Sequence, residues 1–303
     1  MTRVASLAQF DRTQGLIQDT QQLWNKLQLQ IASGQKSQDY AGLGTDAERL
    51  VSLQASQTRV QQYTANNKLV DTRLQTMENG IGQVYSILGQ YKTLLVNALN
   101  GDNASSLAVT TQAQQMLDQV SSLLNVKDGN RYLFSGSKTD TAPVDLSGLP
   151  VSYTVPTSPG ASIGYYKGDN VALKVQADDN LQVTYGVTAG DSSVEEAIRA
   201  LDLGIKEAPT DRTAMNHALD VLNQALDTMP DLRTRIGAAR TALSNANTSQ
   251  NNFMQYTDLN VSDIQNVDVT QAVSQMNDAQ LSLNASYLTV SKLSQLSLLN
   301  FLK

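Results

Sequence analysis

Residues 70–95, VDTRLQTMENGIGQVYSILGQYKTLL, decide the fold of this chain. Large apolar side chains recur in this stretch at alternating steps of four and three residues, at Val70, Leu74, Met77, Ile81, Val84, Leu88, Tyr91 and Leu95. This spacing keeps all of them on one side of an α-helix and is typical of helices that pair in a left-handed coiled coil. We call these eight residues the apolar seam. They predict a long helix that packs against other helices.

The helix that carries the apolar seam is predicted to run from about residue 46 to residue 99. Thr45 and Glu48 have the spacing of a capping box at its start, and the next strong helix breaker is Asn100-Gly101. A helix of this length would be on the order of 80 Å long, because each residue adds about 1.5 Å. Since this exceeds what a compact domain needs, we expect an elongated, rod-shaped molecule.

Further helices are predicted on both sides of the middle of the chain. One covers about residues 104–126 and repeats the spacing of the apolar seam. Another begins at a capping box formed by Ser192 and Glu195, and a longer one starts near Thr210. We expect Pro230 to kink or interrupt this last helix, because proline lacks the amide donor and clashes with the preceding turn.

Residues 131–190 have a different pattern, in which β-branched and aromatic residues form short runs. The runs at 151–155, 171–175 and 181–187 are separated by Gly, Pro, Asp and Asn. This pattern predicts a small β-rich insert.

Both ends of the chain are predicted to be helical. The first end has an apolar stripe at Leu16, Leu23, Leu27 and Ile31, and the other end has one at Val269, Val273, Met276, Leu283, Tyr287 and Val290. Helices from the two ends can therefore pair. We expect a mainly α chain with residues 1–44 and 258–303 as terminal helical region, 45–130 and 191–257 as helical bundle, and 131–190 as the β-rich outer domain.

The composition argues against most kinds of active site. The chain has no cysteine and one histidine, which excludes disulfides, zinc–thiolate sites, cysteine nucleophiles and histidine pairs. The net charge of −6 argues against a nucleic-acid partner. No stretch approaches the roughly 20 apolar residues of a membrane span, and the first residues lack the pattern of a cleaved signal peptide. We expect no catalytic residue, no cofactor, no metal and no membrane insertion.

The C-terminal segment is poor in charge. Between Ala279 and Lys303 the only charged side chains are Lys292 and Lys303. Burying neutral polar side chains costs less free energy than burying unpaired ions. The apolar residues at the end are Leu293, Leu296, Leu298, Leu299, Phe301 and Leu302. They could form an ordinary core helix or an interface with other subunits, and the second is favoured because they cover more than one helical face.

Several stretches resemble the flagellin superfamily. Residues 129–139, GNRYLFSGSKT, resemble a segment of the superfamily's junction proteins, which lie between hook and filament, at Asn130, Arg131, Tyr132, Phe134 and Gly136. Residues 285–302 are similar to the C-terminal signature of the same proteins. Shorter similarities lie at residues 31–36, 166–169 and 236–240, although the two adjacent aspartates common in flagellins after the first helix are absent here.

The resemblance implies a structural protein of the bacterial flagellum. It would form a ring of identical subunits that joins the first hook-associated protein on the hook side to flagellin on the filament side. It would leave the cell without a cleaved signal, helped by an export chaperone, and end up outside the cell. The implied subunit interface comprises Leu16, Leu23, Leu27, Ile31, Met276, Leu283, Tyr287, Leu293, Leu296, Leu299, Phe301 and Leu302. The alternatives are flagellin itself or a flagellin-like protein that binds a surface through its β insert.

Overall fold

The computed structural model describes residues 2–100, 106–153, 163–207 and 211–301. The helices in these ranges are α1 (Thr2–Ser33), α2 (Asp46–Asn100), α3 (Ser106–Leu124), α4 (Ser192–Lys206), α5 (Arg212–Gln265) and α6 (Val269–Phe301). The strands are β1 (Lys127–Asp128), β2 (Arg131–Tyr132), β3 (Leu173–Asp178) and β4 (Leu181–Tyr185). Strands β1 and β2 form one antiparallel pair, and β3 and β4 form another. The predicted mainly α fold with a small β-rich region is confirmed.

The chain divides into two compact units. One contains residues 1–58 and 253–303, and the other contains residues 59–252. In the first unit α1 packs against α6. The division into terminal region, bundle and insert that the sequence suggests stays a prediction.

The core of the 59–252 unit is built on the apolar seam. All eight of its residues are buried, and six of them have no exposed surface at all. The other helices contribute side chains at the same periodic spacing, including Ala113, Leu117, Val120 and Leu124 from α3, Val194, Ile198 and Leu201 from α4, and Leu222, Met229, Ile236 and Leu243 from α5. Burying each large apolar side chain contributes about 1.5–3 kcal/mol to folding, so this core is the main source of stability in the unit.

The start of α4 lies one residue away from the predicted capping box. The N-cap is Asp191, whose backbone is extended and whose side chain accepts a hydrogen bond from the Ser193 amide. A carboxylate at this position satisfies an otherwise unpaired amide and interacts favourably with the helix dipole. Ser192 is already the first residue of the helix.

Pro230 does not interrupt α5, which runs unbroken from Arg212 to Gln265. Met229 and Leu232 beside it are buried at 0% and 1% exposure, while Pro230 itself faces solvent. The carbonyl that loses its amide partner can therefore be hydrated, and the packing of the buried face offsets the cost of the missing bond.

The β-rich region is less regular than the pattern predicts. Two of the three predicted runs form the β3–β4 hairpin, but residues 151–153 form no strand, and residues 154–155 lie outside the described part of the chain. Side-chain contacts hold this segment instead. Lys206 donates a hydrogen bond to the Pro150 carbonyl, and the Tyr153 hydroxyl donates one to Asp202 at 2.7 Å.

Candidate functional site: the terminal helix pair and the 130–136 turn

The two terminal helices form an antiparallel pair. Gly34 has a left-handed backbone with φ 71°, which ends α1 directly after Ser33. Next to this turn, Gln35 forms an antiparallel bridge with Asn266, three residues before α6 begins. Farther along, the Gln21 amide donates a hydrogen bond to the Tyr287 hydroxyl at 2.5 Å. The pairing of chain ends that the sequence predicts is therefore present within this unit.

The predicted interface residues of this pair differ in exposure and fall into three groups. Leu16, Leu23 and Tyr287 are exposed, at 64%, 46% and 47% of their surface. Leu27 is buried at 3% exposure inside the unit. Ile31, Met276 and Leu283 are half-buried. The first three are available for contact with another molecule, whereas Leu27 packs within its own chain.

Other exposed apolar side chains accompany Leu16, Leu23 and Tyr287. They are Phe10 and Leu29 on α1 and Val269, Val273, Leu281 and Leu288 on α6. Leu281 and Leu288 are 71% and 66% exposed and lie seven residues apart, so they share one face of α6. Neither leucine belongs to the single apolar stripe predicted for α6, so the sequence pattern did not single them out. A second stripe with a seven-residue repeat was the signal.

Part of the predicted interface cannot be placed. The side chains of Leu293, Leu296, Leu299 and Phe301 lie outside the described part of the chain, as does Leu302 as a whole. The backbone of residues 293–301 belongs to α6.

The 130–136 turn belongs to the 59–252 unit and has an exposed half and a buried half. Asn130 and Arg131 are exposed at the β1–β2 turn, where Gly129 has φ 59°. Tyr132 is half-buried. The ring of Phe134 is fully buried against α2, where a β-carbon on Gly80 would lie 3.5 Å from its edge.

Gly136 lets two of the family-like segments meet. Its φ is 68°, and a β-carbon on it would lie 2.1 Å from the Asp169 carbonyl oxygen, so only glycine fits. The Asp169 carboxylate accepts hydrogen bonds from the Ser137 amide at 2.7 Å and from the Ser137 hydroxyl at 2.5 Å. These bonds hold the pKa of Asp169 below its ordinary value. The close approach at Gly136 and the hydrogen bonds of Ser137 thus fix the turn to residue 169.

A third family-like segment, residues 236–240, connects α5 to α2. The Arg240 guanidinium forms ion pairs with Asp71 at 2.9 Å and with Glu78 at 2.7 Å. Asp71 and Glu78 lie seven residues apart on α2, so one arginine spans two turns of the opposite helix. The family-like segments 129–139, 166–169 and 236–240 are therefore positions at which separate elements of the fold are joined.

The described residues offer no grouping of acidic, histidine or cysteine side chains that could hold a metal ion. Among the described helices, none has both the length and the apolar character that crossing a membrane requires. The features that stand out are the exposed apolar side chains on the terminal helix pair and the hydrogen bonds between Ser137 and Asp169 beside Gly136.

Comparisons with known proteins extend over almost the whole chain. The family model of the bacterial flagellin N-terminal helical region matches residues 4–139, and that of the C-terminal helical region matches residues 219–302. Flagellar hook-associated protein 3 of Escherichia coli is 25% identical over 95% of both chains. The protein of the same name from Salmonella typhimurium is 24% identical over 98% of both chains.

The fold has a counterpart among solved structures. A Vibrio parahaemolyticus protein assigned to the flagellar hook-associated proteins superimposes with a TM-score of 0.60 at 19% identity, over 73% of this chain and 97% of its own. The two curated relatives named above, each covered over at least 95% of its length, both carry the name flagellar hook-associated protein 3. Because the two flagellin models together match more than two thirds of the chain, it belongs to the flagellin superfamily, on the branch of hook-associated protein 3.

Proposed function

We propose that this chain is a structural protein of the bacterial flagellum that forms the layer joining hook to filament. One observation carries the proposal: a chain that aligns end to end with hook-associated protein 3 exposes leucines on the helix pair built from its two ends. Leu16 on α1 and Leu281 and Leu288 on α6 are each more than 60% exposed. Side chains of this kind mark a surface that other proteins cover.

The partners of this layer follow from its position. Identical subunits would pack side by side through the terminal helices, the first hook-associated protein would lie on the hook side, and flagellin would lie on the filament side. Residues 1–44 and 258–303 would form the inner region, and residues 131–190 would face outward. The chain would act without catalysis and would reach the flagellum through the export channel, with a chaperone and without a cleaved signal.

Burial of exposed leucines would drive association through this surface. Burying one exposed leucine contributes about 1.5–3 kcal/mol, whereas association costs at least about 4 kcal/mol in lost freedom of motion. Several leucines per subunit are therefore required. Leu16, Leu23, Leu29, Leu281 and Leu288 meet this requirement.

The test is deletion of the gene in its own host, followed by complementation with the intact chain. The proposal predicts hooks without filaments and filament subunits released into the medium, because subunits are exported but find no layer on which to assemble. The intact chain restores filaments. If the chain were instead the filament subunit, the deletion strain would release no filament protein, and this outcome would refute the junction role.

A further inference from the structure

The apolar seam of α2 ends at Val70, and the next core position before it is polar. Asn67, three residues earlier, has no exposed surface, and on α5 the facing Gln250 is 2% exposed. The Asn67 side-chain amide donates to Asn247 Oδ1 at 3.1 Å, and the Thr64 hydroxyl donates to Gln250 Oε1 at 2.9 Å. We call Thr64, Asn67, Asn247 and Gln250 the polar layer.

The polar layer holds the two helices together less firmly than the apolar seam does. A hydrogen bond in a protein replaces one to water, so its net contribution is smaller than that of a buried leucine. Asn67 Oδ1 also has no hydrogen-bond partner among the described residues, and leaving a buried acceptor unpaired costs free energy. The α2–α5 contact therefore needs support at this level.

The β3–β4 hairpin supplies a shared acceptor to both helices. Ala177 is fully buried and lies at a β-bulge, where the register shifts between Gln176 and Asp178. A bulge turns a residue out of the strand ladder, which frees its carbonyl for other partners. The Ala177 carbonyl accepts hydrogen bonds from the Asn67 side chain at 3.0 Å and from the Gln250 side chain at 2.5 Å.

A second contact fixes the same hairpin tip to α2. Asp179 Oδ1 forms an ion pair with the Arg59 guanidinium at 3.0 Å and accepts a hydrogen bond from the Tyr63 hydroxyl at 3.1 Å. This hydrogen bond raises the pKa of Tyr63. The Arg59 and Asp179 side chains are each 50% exposed, so their ion pair contributes little by itself. The hydrogen bonds to the Ala177 carbonyl are shielded from water, so we expect them to contribute more to stability than this exposed ion pair does.

We propose that the hairpin tip, residues 177–179, is a clasp that keeps α2 and α5 paired where their interface changes from apolar to polar. The clasp acts through a main-chain carbonyl that one donor from each helix shares. When it is released, the two helices separate first at the polar layer, while the part held by the apolar seam stays closed. The β region thereby controls local opening of the helix pair within the 59–252 unit.

The test is amide hydrogen exchange of the purified full-length chain, since the rate reports the free energy of local opening. In a double variant, Asn67→Ala with Gln250→Ala, both donors to the Ala177 carbonyl are lost. We expect exchange to become about tenfold faster in residues 59–67 and 247–252 and in the hairpin tip. Exchange in residues 77–95 should stay unchanged, because the apolar seam remains intact.

A matched control and a second variant separate the clasp from general destabilisation. Asn66→Ala with Gln224→Ala removes the same residue types from exposed positions of the same helices and should leave all rates unchanged. Asp179→Ala removes the contacts of the hairpin tip with Arg59 and Tyr63. We expect a smaller acceleration of amide exchange in the same segments. Amide exchange that accelerates equally in residues 77–95 would overturn the proposal. Exchange in residues 59–67 that stays unchanged in both clasp variants would also overturn it.

Discussion

The hydroxyl of Tyr91 on α2 lies so close to Gly204 of α4 that a β-carbon on Gly204 would be 1.7 Å from the hydroxyl oxygen. The same hydroxyl donates a hydrogen bond to the Ala200 carbonyl one turn earlier on α4, at 3.1 Å. Tyr91 is fully buried, and this burial raises its pKa. The apolar seam thus includes one polar atom, which is accommodated because α4 has no side chain at position 204.

Gly204→Ala should therefore destabilise the 59–252 unit, although alanine is the better helix former. The methyl group would displace the Tyr91 ring and strain its hydrogen bond, at a cost of about 1–3 kcal/mol. For a unit of this size, the melting temperature should fall by roughly 2–10 °C. Gly82→Ala is the control, because a β-carbon there meets no atom within 4 Å, and we expect a small gain in stability. Equal melting of the two variants would contradict the close contact.

Leu88→Asp should prevent stable folding of the same unit. Leu88 has no exposed surface, and an unpaired carboxylate at its position would cost several kcal/mol. Leu69→Asp makes the same change on the same helix at a side chain that is 48% exposed, and it should alter the free energy of unfolding by less than about 1 kcal/mol. Circular dichroism melting of both variants checks the burial of the apolar seam.

Asp169 should make the Gly136 turn sensitive to acid. The bonds from Ser137 lower its pKa from the ordinary 3.8, so the folded state binds this proton less readily than the unfolded state. Its stabilising effect is therefore complete above pH 3.8 and is lost as the pH falls through the lower folded value. We expect Asp169→Asn to reduce the pH dependence of amide exchange around residues 136–139 below pH 4. If wild type and variant respond identically to acid, Asp169 does not hold the turn.

Leu16→Glu combined with Leu23→Glu should separate assembly from folding. Both side chains are exposed, and glutamate forms helices about as well as leucine, so the melting of the monomer should change little. Filament formation in the complemented deletion strain should fail, because the charges cannot be buried against another subunit. Leu27→Glu is the contrasting variant. Leu27 is 3% exposed, so we expect loss of α1–α6 packing and a lower helix signal in the isolated protein. Normal filaments with the double variant would exclude Leu16 and Leu23 from the interface.

The sequence by itself determined the long helices and the buried side of α2. Alternating steps of four and three residues match the helical repeat, and this relation depends only on positions along one chain. Gly34 has a left-handed backbone directly after Ser33, the position at which glycine commonly follows the end of a helix. The resemblance of residues 129–139 to the superfamily was also readable without a structure.

Only the tertiary structure decided which residues with the same sequence pattern are buried and which are exposed. Leu23 and Leu27 belong to one stripe of α1, yet one is exposed and the other buried, because burial depends on the surface that α6 provides. Asn67 is a residue type that usually lies on the surface, but it is buried here because its side chain donates a hydrogen bond to the Ala177 carbonyl, 110 positions away. Contacts of this kind join segments that are distant along the chain, so the spacing of residues within one segment does not predict them. The tertiary packing alone selects which side chain meets which partner.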